Sequence, residues 1–252
     1  MRIAIAGGTG MIGRHVVDVT RERGHDPIVL TRSTGVDLTT GEGLARALDG
    51  CDVVIDVTSV RTTSAKTSRE FFGAVTRDLL AAEAAAGVRH HVALSIVGVG
   101  DAPFAYYAGK ALQEQLVAAG SVPWTLLRAT QFHEFAMQIY ERMKSGPVVP
   151  VPAMRSQPVA AREVAERLVT LATAEPAGWS RDLAGPREER MADLVRRWAE
   201  RAGKPGRVVE APLPGGFGRA MRDGTLLPGP DADHGVQTFD EWLATVAPAA
   251  PR

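Results

Sequence analysis

Gly7-Gly8-Thr9-Gly10-Met11-Ile12-Gly13 is the most informative segment of this 252-residue sequence. A short apolar run, 3–6, precedes it and predicts a β-strand, and residues 11–23 predict an α-helix. Glycines at such a junction permit a tight turn and let the backbone approach a pyrophosphate, whose charge the helix N-terminus stabilises. We therefore predict that residues 7–13 bind a dinucleotide, through Gly8, Gly10 and Gly13 or through Gly7, Gly10 and Gly13. The alternative, glycines that serve only the turn, stays open.

The rest of the N-terminal half alternates strands and helices. Further strands are predicted at 27–31, 35–38, 52–57, 91–97 and 124–128, and further helices at 42–48, 68–86 and 106–119. The predicted strands are nearly continuous apolar runs, as expected when helices cover both faces of a sheet. This alternation predicts an α/β fold, a doubly wound parallel sheet of the Rossmann type. Asp56 lies inside one of the strands, where we expect it to be buried and to bind backbone or a polar neighbour.

The C-terminal part has a different character. Pro147, Pro150, Pro152 and Pro158 exclude a helix over 145–158. Helices are predicted at 162–174, 191–202 and 239–246, a loop at 212–218 and a frayed tail at 248–252. We interpret residues 1–145 as a dinucleotide-binding core. Residues 146–252 are then a small cap of helices and loops that packs on the core, does not fold independently and determines the substrate.

Composition restricts the classes of function. The sequence has 29 Lys and Arg residues against 29 Asp and Glu residues, and this zero net charge gives no electrostatic footprint for nucleic acid or an acidic membrane. No apolar run approaches the ~18 residues of a membrane span, and no export segment precedes the first strand. The one cysteine, Cys51, excludes an intrachain disulfide framework, and no metal site is predicted, because His90 and His91 lack a third ligand at metal spacing. We expect a cytoplasmic monomer or homodimer that acts on a small molecule.

Arg32 indicates which dinucleotide is bound. A fold that prefers NAD(H) carries an acidic residue at the end of its second strand, where it binds the ribose hydroxyls. That position here has Arg32, whose planar guanidinium is suited to a 2′-phosphate and favours NADP(H) over NAD(H). Arg14, on the first predicted helix, is a second cation that could assist. The alternative is a solvated arginine at the end of a strand.

Tyr106 and Lys110 are candidate catalytic residues because four positions separate them on a predicted helix, which sets both on one face. A nearby ammonium favours the phenolate and lowers the tyrosine pKa, so that the phenol can exchange a proton with a substrate oxygen. Ser95 ends the preceding strand, where its hydroxyl could hold the same oxygen. The alternative is a packed tyrosine with a solvated lysine. His133, beside Glu134, is expected to lie at the surface.

These segments together resemble the short-chain dehydrogenase/reductase superfamily, in its atypical branch of NmrA-like and NAD(P)H-binding proteins. The resemblance rests on residues 7–13, on Tyr106 and Lys110 with Ser95 upstream, and on Val-Pro-Trp-Thr-Leu-Leu-Arg-Ala-Thr-Gln-Phe at 122–132. It covers residues 1 to 145 and extends only loosely to the predicted cap.

The resemblance implies a role for each matching residue. Tyr106 is then the general acid/base, Lys110 binds the nicotinamide ribose and lowers the tyrosine pKa, and Ser95 orients the substrate carbonyl. The positions that match cofactor-lining segments are Thr58 and Ser59 beside the ribose, and Thr130 and Phe132 beside the nicotinamide. The interval from Ser95 to Tyr106 is shorter than the usual spacing of the family.

Three functions fit these expectations. The first is an NADPH-dependent oxidoreductase that transfers a hydride between nicotinamide and a small carbonyl or quinone-type substrate, with Tyr106 as general acid/base. The second is a non-catalytic NADP(H)-binding redox sensor of the NmrA-like type, which binds a protein partner and which the short interval from Ser95 to Tyr106 favours. The third is an isomerase or epimerase that holds its cofactor tightly.

Overall fold

The structure is a computed structural model that describes residues 1–248. These residues form two compact units, Met1–Arg128 with Arg162–Arg181, and Ala129–Ala161 with the described residues from Asp182 onward. The observed division differs from the predicted boundary at residue 145, because residues 129–145 belong to the second unit and 162–181 to the first. That the second part does not fold alone stays a prediction. Apart from Pro248, the tail predicted to fray lies outside the described residues.

The strands, in chain order, are β1 (Arg2–Ala6), β2 (Asp26–Leu30), β3 (Val53–Asp56), β4 (His90–Ile96), β5 (Trp124–Ala129), β6 (Val148–Pro152), β7 (Arg155–Ser156), β8 (Gly178–Trp179), β9 (Leu183–Ala184), β10 (Glu189–Arg190), β11 (Arg207–Ala211) and β12 (Asp233–His234). The helices are α1 (Met11–Glu22), α2 (Leu44–Ala47), α3 (Ala65–Ala86), α4 (Tyr107–Ala119), α5 (Phe135–Met143), α6 (Ala161–Ala172), α7 (Met191–Arg201), α8 (Gly215–Asp223) and α9 (Phe239–Thr245). A 3₁₀ turn, Arg32–Thr34, follows β2.

A parallel sheet organises the first unit. Its strands lie in the order β5, β4, β3, β1, β2, and β8 pairs with β5. β1 pairs in parallel with β2 and with β3, in registers that set Ala6 beside Leu30 on one side and Asp56 on the other. The strand order therefore reverses between β1 and β3, and ligands of open α/β sheets bind at such a point, outside the carboxyl ends of the strands. The predicted α/β fold is confirmed.

Helices flank this sheet because their apolar residues recur at helical spacing. α1 buries Ile12, Val16 and Val19 along one side, whereas Arg14 and Asp18 on the other side are exposed. The strands themselves are buried along most of their length, as their continuous apolar runs predict. The core of the unit therefore lies between the sheet and its helices, and the carboxyl ends of the strands are left to carry the site.

The strand predicted at 35–38 is wrong. Gly35 ends the 3₁₀ turn with a φ of 78°, and Gly41 and Gly43 have φ values of 73° and 77°. Left-handed backbone at Gly35 is incompatible with an extended strand that starts there, and with Gly41 and Gly43 also left-handed the chain folds back on itself over 35–43. Asp37 and Glu42 form only an isolated antiparallel bridge across the fold-back.

Three short strand pairs belong to the second unit: β6 with β11, β7 with β10, and β9 with β12. The proline-rich segment 145–158 contains β6 and β7 and no helix, as predicted. The loop predicted at 212–218 is wrong, because α8 begins inside it. Pro214 is compatible with the start of a helix, and Gly218 serves close packing, since a Cβ there would lie 2.0 Å from the Leu213 carbonyl oxygen. No helix in the described part of the chain is both long and apolar enough to span a bilayer.

Candidate active site

Backbone atoms crowd the glycine loop at Gly7 and Gly13 and leave no room for a side chain at either position. Gly7 has a φ of 83°, and a Cβ there would lie 2.8 Å from the Val57 carbonyl oxygen. A Cβ on Gly13 would lie 2.1 Å from the Gly7 carbonyl oxygen. Gly10 N donates to Gly7 O at 2.9 Å, and Thr9 and Gly10 are exposed. The start of α1 is thus set at the carboxyl end of β1, beside the residues that follow β3.

The other residues of the loop are covered to different degrees. Gly8 and Ile12 are buried, and Met11 is half-buried. Arg14 donates from Nε to the Thr9 carbonyl oxygen at 3.1 Å, so its side chain folds back over the loop. The exposed backbone at the tip of the loop, with a guanidinium beside it, is an arrangement that can bind an anion.

Arg32 opens the 3₁₀ turn after β2 and is exposed. Its guanidinium has no hydrogen-bond or ion-pair partner within residues 1–248. Hydrogen bonds from Thr39, together with the charge of Arg32, hold the pKa of the Asp37 carboxyl below its usual range. The charge of Arg32 therefore acts on the Asp37 carboxyl, although the two residues do not form an ion pair.

Ser59 connects Tyr106 to the end of β3. The Ser59 and Tyr106 hydroxyl oxygens lie 3.0 Å apart, within hydrogen-bond distance. Thr58, the residue before, donates its backbone N–H to Asp56 Oδ1 at 2.8 Å, while its buried hydroxyl has no hydrogen-bond partner among the described residues. Since Val57 also touches the glycine loop, the tyrosine hydroxyl and the loop belong to the same edge of the sheet.

The backbone of Tyr106 is fixed independently of its hydroxyl. The Ser68 hydroxyl, on α3, donates to the Tyr106 carbonyl oxygen at 2.7 Å, and the rings of Phe72 and Tyr106 pack edge to face at 5.5 Å. A Cβ on Gly109 would lie 2.2 Å from Ser68 Oγ, so only glycine lets α3 and α4 approach this closely. Ala105, just before the tyrosine, has a φ of 50°, which is strained for a residue with a side chain. Tyr106 is therefore held by its surroundings at the start of α4.

Lys110 lies in a buried polar network. It is 3% exposed, and its ammonium donates to the Leu94 carbonyl oxygen and to Gln113 Oε1. Gln113 in turn donates to Asp56 Oδ2 at 2.7 Å, which confirms the expected burial and polar pairing of Asp56. The ammonium also lies 4.8 Å from the centre of the Phe72 ring, the ring that packs on Tyr106. Burial lowers the pKa of Lys110 to about 8, although the charges of Asp56 and Glu114 act in the opposite direction.

This lowered pKa predicts a pH dependence of stability. Between pH about 8 and 10.5 the folded protein releases the Lys110 proton while the unfolded chain keeps it. The free energy of unfolding therefore rises by up to about 3 kcal/mol as the pH increases across that interval. Below pH about 8 this residue does not change it with pH. Urea unfolding at several pH values is expected to show a less positive slope for Lys110→Met than for the wild type. Lys204→Met, at an exposed lysine, is the control, and equal slopes for wild type and Lys110→Met would contradict the prediction.

The remaining predicted residues have different surroundings. Ser95 lies in β4, is 2% exposed and has a hydroxyl without a hydrogen-bond partner among the described residues. Thr130 and Phe132 belong to the second unit, where the Thr130 hydroxyl donates to the Gln157 carbonyl oxygen at 2.5 Å. His133 is 1% exposed and lies against the rings of Phe239 and Trp242, so its predicted surface position is wrong.

Sequence reasoning missed three residues of the first unit, Ser68, Phe72 and Gln113. Ser68 and Phe72 contact Tyr106 from another helix, and no local pattern links them to it. Gln113 is three residues after Lys110 on the same helix, so that spacing could have indicated it.

Comparison with known proteins places this geometry in a family. Residues 7–175 match the model of a family described as NAD(P)H-binding. The photosystem II assembly factor Ycf39 of Synechocystis sp. is 25% identical over 236 residues, which cover 84% of this chain and 71% of that protein. The (4-alkanoyl-5-oxo-2,5-dihydrofuran-3-yl)methyl phosphate reductase of Streptomyces griseus is 33% identical over 184 residues, 65% of this chain and 62% of that enzyme. This chain thus spans less than two thirds of the reductase.

Among solved structures, the UDP-glucose 4-epimerase of Thermus thermophilus in complex with NAD has a TM-score of 0.69 and 20% identity, and the alignment covers 97% of this chain and 92% of that one. This likeness concerns the fold. The family match spans more than half of the chain and includes the glycine loop, the residues after β3 and the segment from Tyr106 to Lys110. The chain therefore belongs to this family of NAD(P)H-binding proteins.

Proposed function

We propose that this protein is an NADPH-dependent oxidoreductase that acts on a small carbonyl or quinone-type substrate, with Tyr106 as general acid/base. One observation carries the proposal. The glycine loop touches Val57, and Ser59, two residues later, lies within hydrogen-bond distance of the Tyr106 hydroxyl. A proton donor and a pyrophosphate-binding loop at one edge of the sheet are what transfer of a hydride and a proton to one substrate requires.

The residues at this edge fit a dinucleotide. The crowded backbone at Gly7 and Gly13 leaves the tip of the loop exposed, where backbone N–H groups can bind a pyrophosphate. Two buried hydroxyls, those of Thr58 and Ser95, lack hydrogen-bond partners among the described residues. Both follow or end strands at the edge where a ligand of this fold binds, so a ribose or substrate oxygen is a fitting partner.

The cofactor, when bound, supplies the hydride. Tyr106 donates a proton from its phenol oxygen to the substrate oxygen, and the exposed Ser59 hydroxyl offers a path for its replacement from solvent. Ser95 holds the substrate oxygen in this proposal. The Lys110 ammonium lies 4.8 Å from the centre of the Phe72 ring, which packs on Tyr106, and in this proposal its positive charge supports the tyrosine. The names of the reductase and epimerase relatives are compatible with this chemistry.

The proposal is tested with purified protein, NADPH and a panel of aldehydes, ketones and quinones, followed by the loss of nicotinamide absorbance. Substrate-dependent oxidation of NADPH is the expected result. Conversion of a substrate without net oxidation would support the isomerase alternative instead. Tight binding of NADPH with no conversion of any panel member would contradict the proposal.

A sensor is the second candidate, and one observation favours it. The Lys110 ammonium already donates hydrogen bonds to the Leu94 carbonyl oxygen and to Gln113 Oε1 in the absence of a ribose. The similarity to an assembly factor, Ycf39, points the same way. A sensor is expected to bind a protein partner with different affinity in the presence of NADP⁺ and of NADPH, and to do so equally well after Tyr106→Phe.

Arg32→Asp is expected to reverse the cofactor preference. Replacing a guanidinium by a carboxylate removes the attraction for a 2′-phosphate and adds repulsion, so Kd for NADPH is expected to rise about a hundredfold. NADH lacks that phosphate, and its ribose hydroxyls can bind a carboxylate, so its Kd is expected to stay the same or fall. Calorimetric titration with each cofactor measures both values. Arg21→Asp, in the last turn of α1, is the control, and equal losses for both cofactors would remove Arg32 from the site.

A further inference from the structure

Arg46, on α2, is a second guanidinium at the turn that follows β2. Gly35 ends this turn, and a Cβ there would lie only 3.1 Å from Arg46 Nη2. The chain between them folds back, because Asp37 N donates to the Glu42 carbonyl oxygen at 3.0 Å. Arg46 is therefore eleven positions from Gly35 in sequence but lies directly over it.

The contact between α2 and the turn is close enough to be specific. A Cβ on Gly43, the residue before α2, would lie 2.0 Å from the Gly35 carbonyl oxygen. Leu44, the first residue of α2, is 1% exposed and anchors the helix in the core. The helix is thus fixed against the turn that Arg32 opens. The packing of Gly43 and Leu44 therefore determines where the backbone of Arg46 lies.

The guanidinium groups of Arg32 and Arg46 are both available to a ligand. Arg32 and Arg46 are both exposed, and neither has a hydrogen bond or ion pair to any of residues 1–248. Asp37 is the carboxylate on which the charge of Arg32 acts, and it binds the Thr39 backbone N–H at 2.8 Å and hydroxyl at 2.6 Å. Arg46 supplies the second positive charge.

The location selects the kind of anion. The turn follows Leu30, which pairs with Ala6, the residue before the glycine loop. In this fold the adenosine ribose of a dinucleotide lies at the end of the second strand. A phosphate monoester on that ribose carries close to two negative charges and three acceptor oxygens, which two guanidinium groups can share.

We propose that Arg46 is a further specificity-determining residue, which binds the 2′-phosphate of NADP(H) together with Arg32. The inference rests on the proposed preference for NADP(H) and extends it to a residue that lies outside the segment at the end of β2. It also assigns a purpose to the fold-back of residues 35–43, which replaces a predicted strand and brings α2 to the turn.

The test uses two probes that lack nicotinamide, adenosine 2′,5′-bisphosphate and 5′-AMP, titrated by calorimetry into the wild type and the variants. Arg46→Ala is expected to weaken the bisphosphate about tenfold and to leave 5′-AMP unchanged, because only the former has a 2′-phosphate. The affinity of Arg46→Lys for the bisphosphate is expected to lie between those of the wild type and Arg46→Ala, since an ammonium keeps the charge without the planar guanidinium geometry. Arg21→Ala is the matched control, and thermal unfolding checks that each variant is folded.

The outcomes separate this inference from the proposal beneath it. If Arg32→Ala lowers the preference for the bisphosphate and Arg46→Ala does not, the role of Arg46 is refuted and the NADP(H) preference stands. If the wild type binds both probes equally or binds neither, the NADP(H) preference fails and the role of Arg46 fails with it. Loss of 5′-AMP binding in Arg46→Ala would identify a general structural role and would also refute the inference.

Discussion

Tyr106→Phe is expected to lower turnover about 10²–10⁴-fold while Kd for NADPH stays within about twofold of the wild type. The substitution removes one oxygen and keeps the contacts that fix the residue. The hydrogen bond from Ser68 ends on the Tyr106 backbone carbonyl oxygen, and the Phe72 contact involves the ring, so a phenylalanine retains both. The substitution removes the contact with the Ser59 hydroxyl, and Ser59 is exposed and can bind water instead.

The adjacent tyrosine provides the control. Tyr107 is the first residue of α4 and is turned by about 100° around the helix axis from Tyr106, so Tyr107→Phe is expected to keep turnover near the wild-type value. Steady-state rates with the best substrate of the panel, together with NADPH titrations of both variants, make the comparison. Turnover retained by Tyr106→Phe would remove the tyrosine from the mechanism, and loss of NADPH binding would show that its role is structural.

Local sequence signals were sufficient for the sheet and the glycine loop. The continuous apolar run of β4 and the glycines between β1 and α1 each depend on a few neighbouring residues and on backbone sterics, which a sequence displays directly. The segment 35–38 was also predicted to be a strand, yet its first residue, Gly35, is left-handed, and Gly41 and Gly43 beyond it are left-handed as well. These conformations accompany the fold-back that packs α2 on the turn.

The site itself was only partly predictable, because its contacts join distant parts of the chain. The contact of Ser59 with Tyr106 spans 47 positions, and the contact of Gln113 with Asp56 spans 57. The burial of His133 likewise depends on aromatic rings from α9, more than a hundred residues away in sequence. Residue type and spacing indicated candidate groups, whereas the structure determines which of them are in contact.

Gly13→Ala is expected to weaken NADPH binding at least about a hundredfold, more than any other single methyl group added to the loop. The new Cβ would lie 2.1 Å from the Gly7 carbonyl oxygen and 2.6 Å from Gly8 Cα, so the backbone of the loop must move. Displaced N–H groups lose their charge-assisted hydrogen bonds to the pyrophosphate, and each such bond is worth about 1.5–3 kcal/mol. The same clash is expected to lower the free energy of unfolding by about 1–3 kcal/mol.

The identity of the clashing atoms predicts a ranking that separates a binding loop from a mere turn. At Gly8 the nearest atom to a new Cβ is Val29 Cγ1, at 2.9 Å, which belongs to a side chain and can yield, so Gly8→Ala is expected to cost less affinity than Gly13→Ala. Gly229→Ala, where nothing lies within 4 Å, is the control for methyl addition without a clash. Calorimetry and thermal unfolding on the three variants give affinity and stability separately. If Gly13→Ala is destabilised but binds NADPH as the wild type does, the glycines serve only the turn and the dinucleotide is bound elsewhere.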